Sequence, residues 1–150
     1  MLQRIQTIFL LLACSAMLIA CATSLGSFTY NGDRMVVEAV GVYLNGELHH
    51  FTWGLVGIGL ISAILSFVSI FFFRKRKLQI RLSKVNIGIM VAFYLYFGYL
   101  IYKLTTTGNL QFVRMGTGMV MPAIAILFVV LAIRRISADE ALVRSLDRLR

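Results

Sequence analysis

The side chains that could carry chemistry are few in this chain, and their spacing matches no catalytic motif. His49 and His50 are adjacent, and Glu47 precedes His49 by two positions, so Glu47 and His49 would share one face of a strand. A zinc site needs about three or four ligands, and no further ligand stands near this group in the sequence. We therefore predict no metal site, and we interpret both histidines as polar residues at a junction between a strand and a helix.

The remaining reactive residues are equally isolated. Asp33 and Glu38 have no evident catalytic partner, and the sequence has no phosphate loop, no dinucleotide glycine motif and no serine–histidine–aspartate set. Cys14 and Cys21 are seven residues apart, about 10 Å on a helix, which is too far for a disulfide between them. We predict that the protein is not an enzyme, that it has no catalytic residue and that it binds no cofactor.

Apolar segments dominate the elements that carry these residues. Hydrophobic residues make up 59% of the chain and charged residues 14%, whereas a soluble domain has about 45–50% and about 25%. Four segments are long enough to cross a hydrocarbon core of about 30 Å as helices. They are residues 5–23, 51–73, 85–104 and 115–133. Apart from Lys103 at the end of the third, these segments contain no acidic residue, no basic residue and no histidine. This lack of ionisable residues argues against a proton-coupled carrier.

The basic residues are distributed unequally between the connections. Of 15 lysines and arginines, 12 lie before the first segment, between residues 74 and 84, or after residue 133. Short basic connections remain in the cytoplasm, so we predict that both termini are cytoplasmic. The net charge of +9 is then explained by topology. We predict the lipid bilayer and anionic headgroups at its cytoplasmic face as partners, and no nucleic acid.

The first segment has a second possible interpretation. Leu18-Ile19-Ala20-Cys21 is similar to a lipoprotein cleavage signal, and processing at Cys21 would leave three segments. The region before the apolar run has a single basic residue, Arg4, which is weak for a signal peptide. We expect an uncleaved first helix, with processing at Cys21 as the alternative.

Residues 24–50 have the composition of a β-sheet. Asn31-Gly32 and Asn45-Gly46 are typical of tight hairpin turns, which require positive φ at both central residues. Strands over 25–30, 34–44 and 47–51 would form a small three-stranded antiparallel meander outside the membrane, between the first two helices. Its exposed residues would offer a partner surface, for which we select Val40 and Val42.

A short amphipathic helix is predicted over residues 138–150. Ser137 and Glu140 have the spacing of a capping box. Leu142, Leu146 and Leu149 would form one apolar stripe, and Arg144 and Arg148 would lie away from it. We expect the stripe to contact the membrane or a partner protein. The predicted fold is thus an all-α membrane protein: a four-transmembrane-helix bundle with a small meander and a short C-terminal helix.

Two tyrosines lie deep in the third apolar segment. The hydroxyls of Tyr94 and Tyr96 need hydrogen-bond partners there. These residues could line a ligand pocket between the helices, and the alternative is that they are core tyrosines with satisfied hydroxyls.

The two ends of the chain resemble a known family. Met1-Leu2-Gln3-Arg4-Ile5-Gln6 and the charged segment from Asp139 to Arg150 are similar to an uncharacterised family of small four-span proteins from Bacteroidota, known only as a domain of unknown function. The resemblance implies a bacterial inner-membrane location and brings no activity, cofactor or site. We expect a non-enzymatic accessory or assembly subunit of an inner-membrane complex, bound to a membrane protein or to a second copy. The alternative is a lipid- or small-molecule-binding protein.

Overall fold

The computed structural model describes residues 2–73 and 75–147, with side chains for residues 5–73 and 75–141. Within these residues the chain forms four helices and five strands. In chain order they are α1 (Leu2–Ala22), β1 (Ser24–Tyr30), β2 (Asp33–Glu38), β3 (Gly41–Leu44), β4 (Glu47–Phe51), α2 (Trp53–Phe71), α3 (Arg76–Thr107), β5 (Leu110–Met115) and α4 (Thr117–Asp147).

All four of these helices are long and apolar enough to cross a membrane, by length and composition. α1 packs against α2 and α4, and α3 packs against α2 and α4. Their shared core includes Met17, Leu55, Phe93 and Val129. The sheet lies against one end of the helices, which we call the sheet end. The opposite end carries Lys75, the basic residues at the start of α3, and Arg134 and Arg135 of α4, and we call it the basic end.

The sheet differs from the predicted meander. Its strand order is β4-β3-β2-β1-β5, and every neighbouring pair is antiparallel. Its inner face buries Phe28, Met35, Val37 and Val42 in the same core as the helices. The all-α class with a small three-stranded meander is therefore wrong, because a five-stranded antiparallel sheet shares the core with the helices.

The fifth strand lies in the connection between α3 and α4, outside the segments for which strands were predicted. β5 pairs with β1, for example Tyr30 with Leu110 and Phe28 with Phe112. The segment contains Phe112 and Val113, which favour strands. Its partner strand β1 is distant in sequence, however, and no local turn motif indicates that the two strands pair. The sheet is therefore not confined to the connection between the first two helices.

The long predicted strand over residues 34–44 is divided into β2 and β3 by a contact from another element. The Thr52 hydroxyl donates to the carbonyls of Glu38, at 3.2 Å, and Ala39, at 2.9 Å. The Thr52 backbone N–H donates to the carbonyl of Val40 at 3.0 Å. These bonds satisfy backbone groups that leave the ladder at the reversal. The reversal between the paired Val37 and Val42 is therefore held by Thr52 and contains no Asn-Gly pair.

Both predicted Asn-Gly turns are present. Asn31 and Asn45 have φ of 51° and 52°, and Gly32 and Gly46 have φ of 96° and 90°. Such values suit asparagine and glycine, which reach the left-handed region at low cost.

The prediction of a separate C-terminal helix is also wrong, since α4 continues without interruption through Ser137 to Asp147. Ala132 and Ile136 are fully buried, and the chain has no glycine or proline there to end the helix. An ion pair fixes this extension: Arg76 Nη2 lies 3.0 Å from Asp139 Oδ2. The side chains of Leu142, Arg144 and Leu146, and all of Arg148 and Leu149, lie outside the described residues.

Candidate ligand site between the sheet and α3

A crevice of about 190 Å³ lies at the sheet end, between the inner face of the sheet and the last turns of α3. It is lined by Tyr30, Met35, Val42, His49, His50, Leu100, Lys103, Leu104 and Thr107.

Strand alternation and register place one wall of the crevice. Met35 and Val42 are each 1% exposed and belong to the inner face. His50 is the register partner of Val42, and directly opposed residues of antiparallel strands share a face. His50 therefore lies beside the apolar floor that Val42 and Met35 form.

Helical periodicity places the other wall. Leu100, Lys103, Leu104 and Thr107 stand at i, i+3, i+4 and i+7, which is one face of α3. The hydroxyl of Thr107 donates to the carbonyl of Lys103 at 2.7 Å, which supports the last turn of the helix. This wall offers two leucines to the floor, and an ammonium group and a hydroxyl to the rim.

Glycine at position 108 brings the two walls together. A Cβ atom at Gly108 would lie 2.6 Å from the ring of Tyr30, so only a hydrogen there allows this packing. The Gly108 N–H donates to the Leu104 carbonyl and closes α3. The ring of Tyr30 can thus rest directly against the end of the helix.

The crevice is suited to binding. Its floor is apolar, and its rim holds two imidazoles, one ammonium group and two hydroxyls. Ligand sites in proteins commonly combine such an apolar lining with a few polar groups that fix orientation. Within the described residues, no three histidine, cysteine or acidic side chains are grouped to hold a metal ion.

Tyr94 and Tyr96 contact different helices, α4 and α2 respectively. The Tyr94 hydroxyl donates to the Met119 carbonyl of α4 at 2.6 Å. The ring of Tyr96 packs against α2, where a Cβ at Gly54 would lie 2.7 Å from it. A ligand pocket that contains both tyrosines stays a prediction, and the crevice includes neither.

The predicted partner surface is divided in a similar way. Val40 is 38% exposed, whereas Val42 is 1% exposed and belongs to the crevice floor. Of this pair, only Val40 is accessible to a partner protein. The other candidates for interaction, in the tail from Leu142 onward, lie outside the described side chains.

Sequence reasoning missed most of the crevice, including Tyr30, Lys103 and Thr107. One signal was available: Lys103 is the single charge within the four predicted spans. The sequence alone does not show that Lys103 lies near His49 and His50, because that proximity depends on the packing of the sheet against α3.

A second polar cluster, the α2–α3 polar seam, lies in the interface between those helices, toward the basic end. It consists of Ser62, Ser66, Ser69, Gln79, Ser83 and Asn86, each at most 2% exposed. The Ser62 hydroxyl donates to Asn86 Oδ1, and Asn86 Nδ2 donates to Ser66 Oγ, both at 2.7 Å. Such bonds between helices hold apolar segments together. Ser62, Ser66 and Asn86 therefore form a structural link between the two helices. Among the described residues, Ser69 Oγ, Gln79 Oε1 and Ser83 Oγ of the seam are buried without a hydrogen-bond partner.

Four apolar helices with a five-stranded sheet and a crevice at one end define this protein's architecture. The chain belongs to the family described as a domain of unknown function, DUF4293, whose model matches residues 2–149. Searches of curated proteins and of solved structures found no significant match. Family membership therefore supplies no activity, and any proposal of function must come from the crevice and the surface.

Proposed function

We propose that this chain is a non-enzymatic integral membrane protein of a bacterial inner membrane, of the kind found in Bacteroidota, with both termini cytoplasmic. Its four helices are long and apolar enough to cross a bilayer. Lys75, Lys77, Arg81, Arg134 and Arg135 are exposed at the basic end. This is the distribution that the positive-inside rule associates with the cytoplasmic face, and it would leave the sheet outside.

The function we propose is the binding of an amphipathic small molecule or lipid at the sheet end. The observation that carries it is the crevice itself, where an apolar floor of Met35, Val42, Leu100 and Leu104 meets a polar rim. In the proposed topology the crevice lies near the outer membrane interface. There an amphiphile could keep its polar part on the rim and its apolar part against the protein or the lipid.

A crevice-filling substitution tests this function. Leu104→Trp adds volume inside the crevice, and Leu95→Trp makes the same change at a position that is 70% exposed on the same helix. Native mass spectrometry of protein purified in mild detergent should detect a retained small molecule in the parent and in Leu95→Trp, and less in Leu104→Trp. A parent that retains nothing, or equal retention in all three, would refute the function.

An accessory role is a second candidate, supported by a different observation. β5 ends the sheet, and its Phe112 and Val113 are 64% and 61% exposed. An open edge can pair with an extended segment of another protein. The partner would be a membrane protein that supplies one strand.

A charged substitution on the edge strand β5 tests the accessory role separately from ligand binding. Val113→Lys should reduce recovery of a stoichiometric partner from native membranes, since lysine discourages edge pairing. Leu48→Lys, on the strand at the opposite edge, is the matched control. Partner recovery that Val113→Lys leaves unchanged would remove β5 from consideration.

A further inference from the structure

We propose that the crevice between the sheet and α3 recognises an acidic headgroup, the phosphate or carboxylate of an anionic amphiphile, through Lys103, His49 and His50. The inference rests on the proposed ligand-binding function and names the chemistry of the ligand.

The charged and polar residues of the rim favour an acidic ligand. The nine lining residues include one lysine and two histidines and no acid. Lysine presents three N–H donors, and a histidine presents at least one. Hydrogen bonds from charged donors to phosphate or carboxylate are about twice as strong as neutral ones. A ligand without negative charge would leave the Lys103 ammonium group without a charged partner in the crevice.

No acid is among the residues that line the crevice. Asp33 accepts a hydrogen bond from Asn45 at the hairpin turn, 3.0 Å from its Nδ2. Glu47 is opposite Leu44 at the other end of β4 from His50. The three residues from Glu47 to His50 correspond to about 10 Å along a strand. Glu47 therefore lies away from His50, and Lys103 is the formal cation among the lining residues.

The size of the crevice limits what enters it. Its volume of about 190 Å³ equals roughly six water-sized groups, at about 30 Å³ each. That is enough for a phosphate or carboxylate headgroup. Long acyl chains would extend beyond the crevice.

The surface beside Lys103 suits such chains. Tyr99 stands one turn before Lys103 on the same face of α3 and is 59% exposed, and the adjacent Tyr102 is 68% exposed. Tyrosines are enriched at membrane interfaces, where the ring contacts lipid and the hydroxyl meets water. Chains that leave the crevice could lie against these rings.

Hydrogen bonds stabilise the last turn of α3 at Lys103. The Lys103 carbonyl accepts hydrogen bonds from the hydroxyls of Thr106, at 2.8 Å, and Thr107, at 2.7 Å. These bonds, with the Gly108 closure, stabilise a helix end that would otherwise leave carbonyls unpaired. The lysine is thus presented from an ordered turn.

The test uses the full chain in nanodiscs that contain equal amounts of phosphatidylglycerol and phosphatidylcholine with identical acyl chains. Lipids retained after extraction are counted by native mass spectrometry. We expect the parent to retain phosphatidylglycerol preferentially, and Lys103→Gln to lower that preference by about tenfold, as loss of one charged hydrogen bond predicts. His50→Gln should lower it in the same direction.

Arg114→Gln is the matched control, because it removes one cation from the exposed face of β5 outside the crevice. It should retain the parent's preference. Equal losses in Lys103→Gln and Arg114→Gln, or no loss in Lys103→Gln, would overturn the proposal. Size exclusion and circular dichroism should show all variants folded. Lys103→Arg, which keeps the charge, should recover most of the preference if Lys103→Gln loses it.

Three further outcomes test the ligand-binding function and the acidic headgroup separately. A parent that retains both lipids equally, and loses both in Leu104→Trp, would keep the ligand-binding function and overturn the acidic headgroup. A parent that retains no lipid in the crevice would overturn the function. Displacement of bound phosphatidylglycerol by inorganic phosphate alone would support the acid and identify a free anion as a competing source.

Discussion

The α2–α3 polar seam gives the sharpest quantitative prediction. Asn86→Ala removes the side chain that joins Ser62 and Ser66, and with it two hydrogen bonds of 2.7 Å. Hydrogen bonds between membrane helices contribute about 0.6 kcal/mol on average and up to about 1.7 kcal/mol. Loss of both should therefore lower the free energy of unfolding by about 1–3 kcal/mol, with part of this cost due to two hydroxyls left without Asn86.

The measurement is reversible unfolding in mixed micelles, followed by circular dichroism. A double-mutant cycle of Asn86→Ala with Ser66→Ala isolates the bond between them from the cavity that a smaller side chain leaves. We expect a coupling free energy of about 0.6–1.7 kcal/mol. Ser15→Ala is the control, because the Ser15 hydroxyl is exposed and bonds within its own helix. It should change stability by less than about 0.5 kcal/mol.

Two results would refute the reasoning. A coupling free energy near zero would mean that Asn86 and Ser66 do not stabilise the helix pair. A loss in Asn86→Ala no larger than that in Ser15→Ala would mean that the buried polar link contributes no net stability to the fold.

The remaining predictions concern packing, topology and the tail. Gly59→Val should destabilise the protein by about 1–3 kcal/mol, because a Cβ at Gly59 would overlap Cys21 of α1; thermal unfolding measures this. In a background without native cysteines, Lys77→Cys should react with impermeant thiol reagents only from the cytoplasmic side, and Asn109→Cys only from outside. Truncation after Ala141 should leave insertion unchanged, since the basic residues between positions 74 and 84 remain, and the same labelling checks it.

Each of these tests has a contradicting outcome. A Cβ added at Gly57 would meet no atom within 4 Å, so Gly57→Val is the control, and equal losses at both glycines would argue against close packing at Cys21. Labelling of Lys77→Cys from outside would invert the proposed topology. A truncated chain that fails to insert would give the tail a role in topology beyond the basic α2–α3 connection.

The sequence by itself determined the features that depend on local chemistry. Four apolar segments became helices, because a long apolar run must satisfy its own backbone groups wherever water is excluded. Asn31-Gly32 and Asn45-Gly46 became tight turns, because positive φ is a property of those residues themselves.

Only the tertiary structure decided the features that depend on distant partners. β5 is a strand because β1 supplies its hydrogen bonds, and β2 ends because Thr52 satisfies the carbonyls at the reversal. α4 passes through Ser137 because burial of Ile136 continues its packed face, which outweighs the local capping signal.

The crevice belongs entirely to this second group. Lys103 on α3 and His49 and His50 on β4 are brought to one rim by the packing of the sheet on the helix, far from one another in sequence. Local patterns specify which residues can form a helix or a turn, since those depend on neighbours along the chain. A binding site requires side chains from separate elements to meet, and that depends on contacts made only when the core is packed.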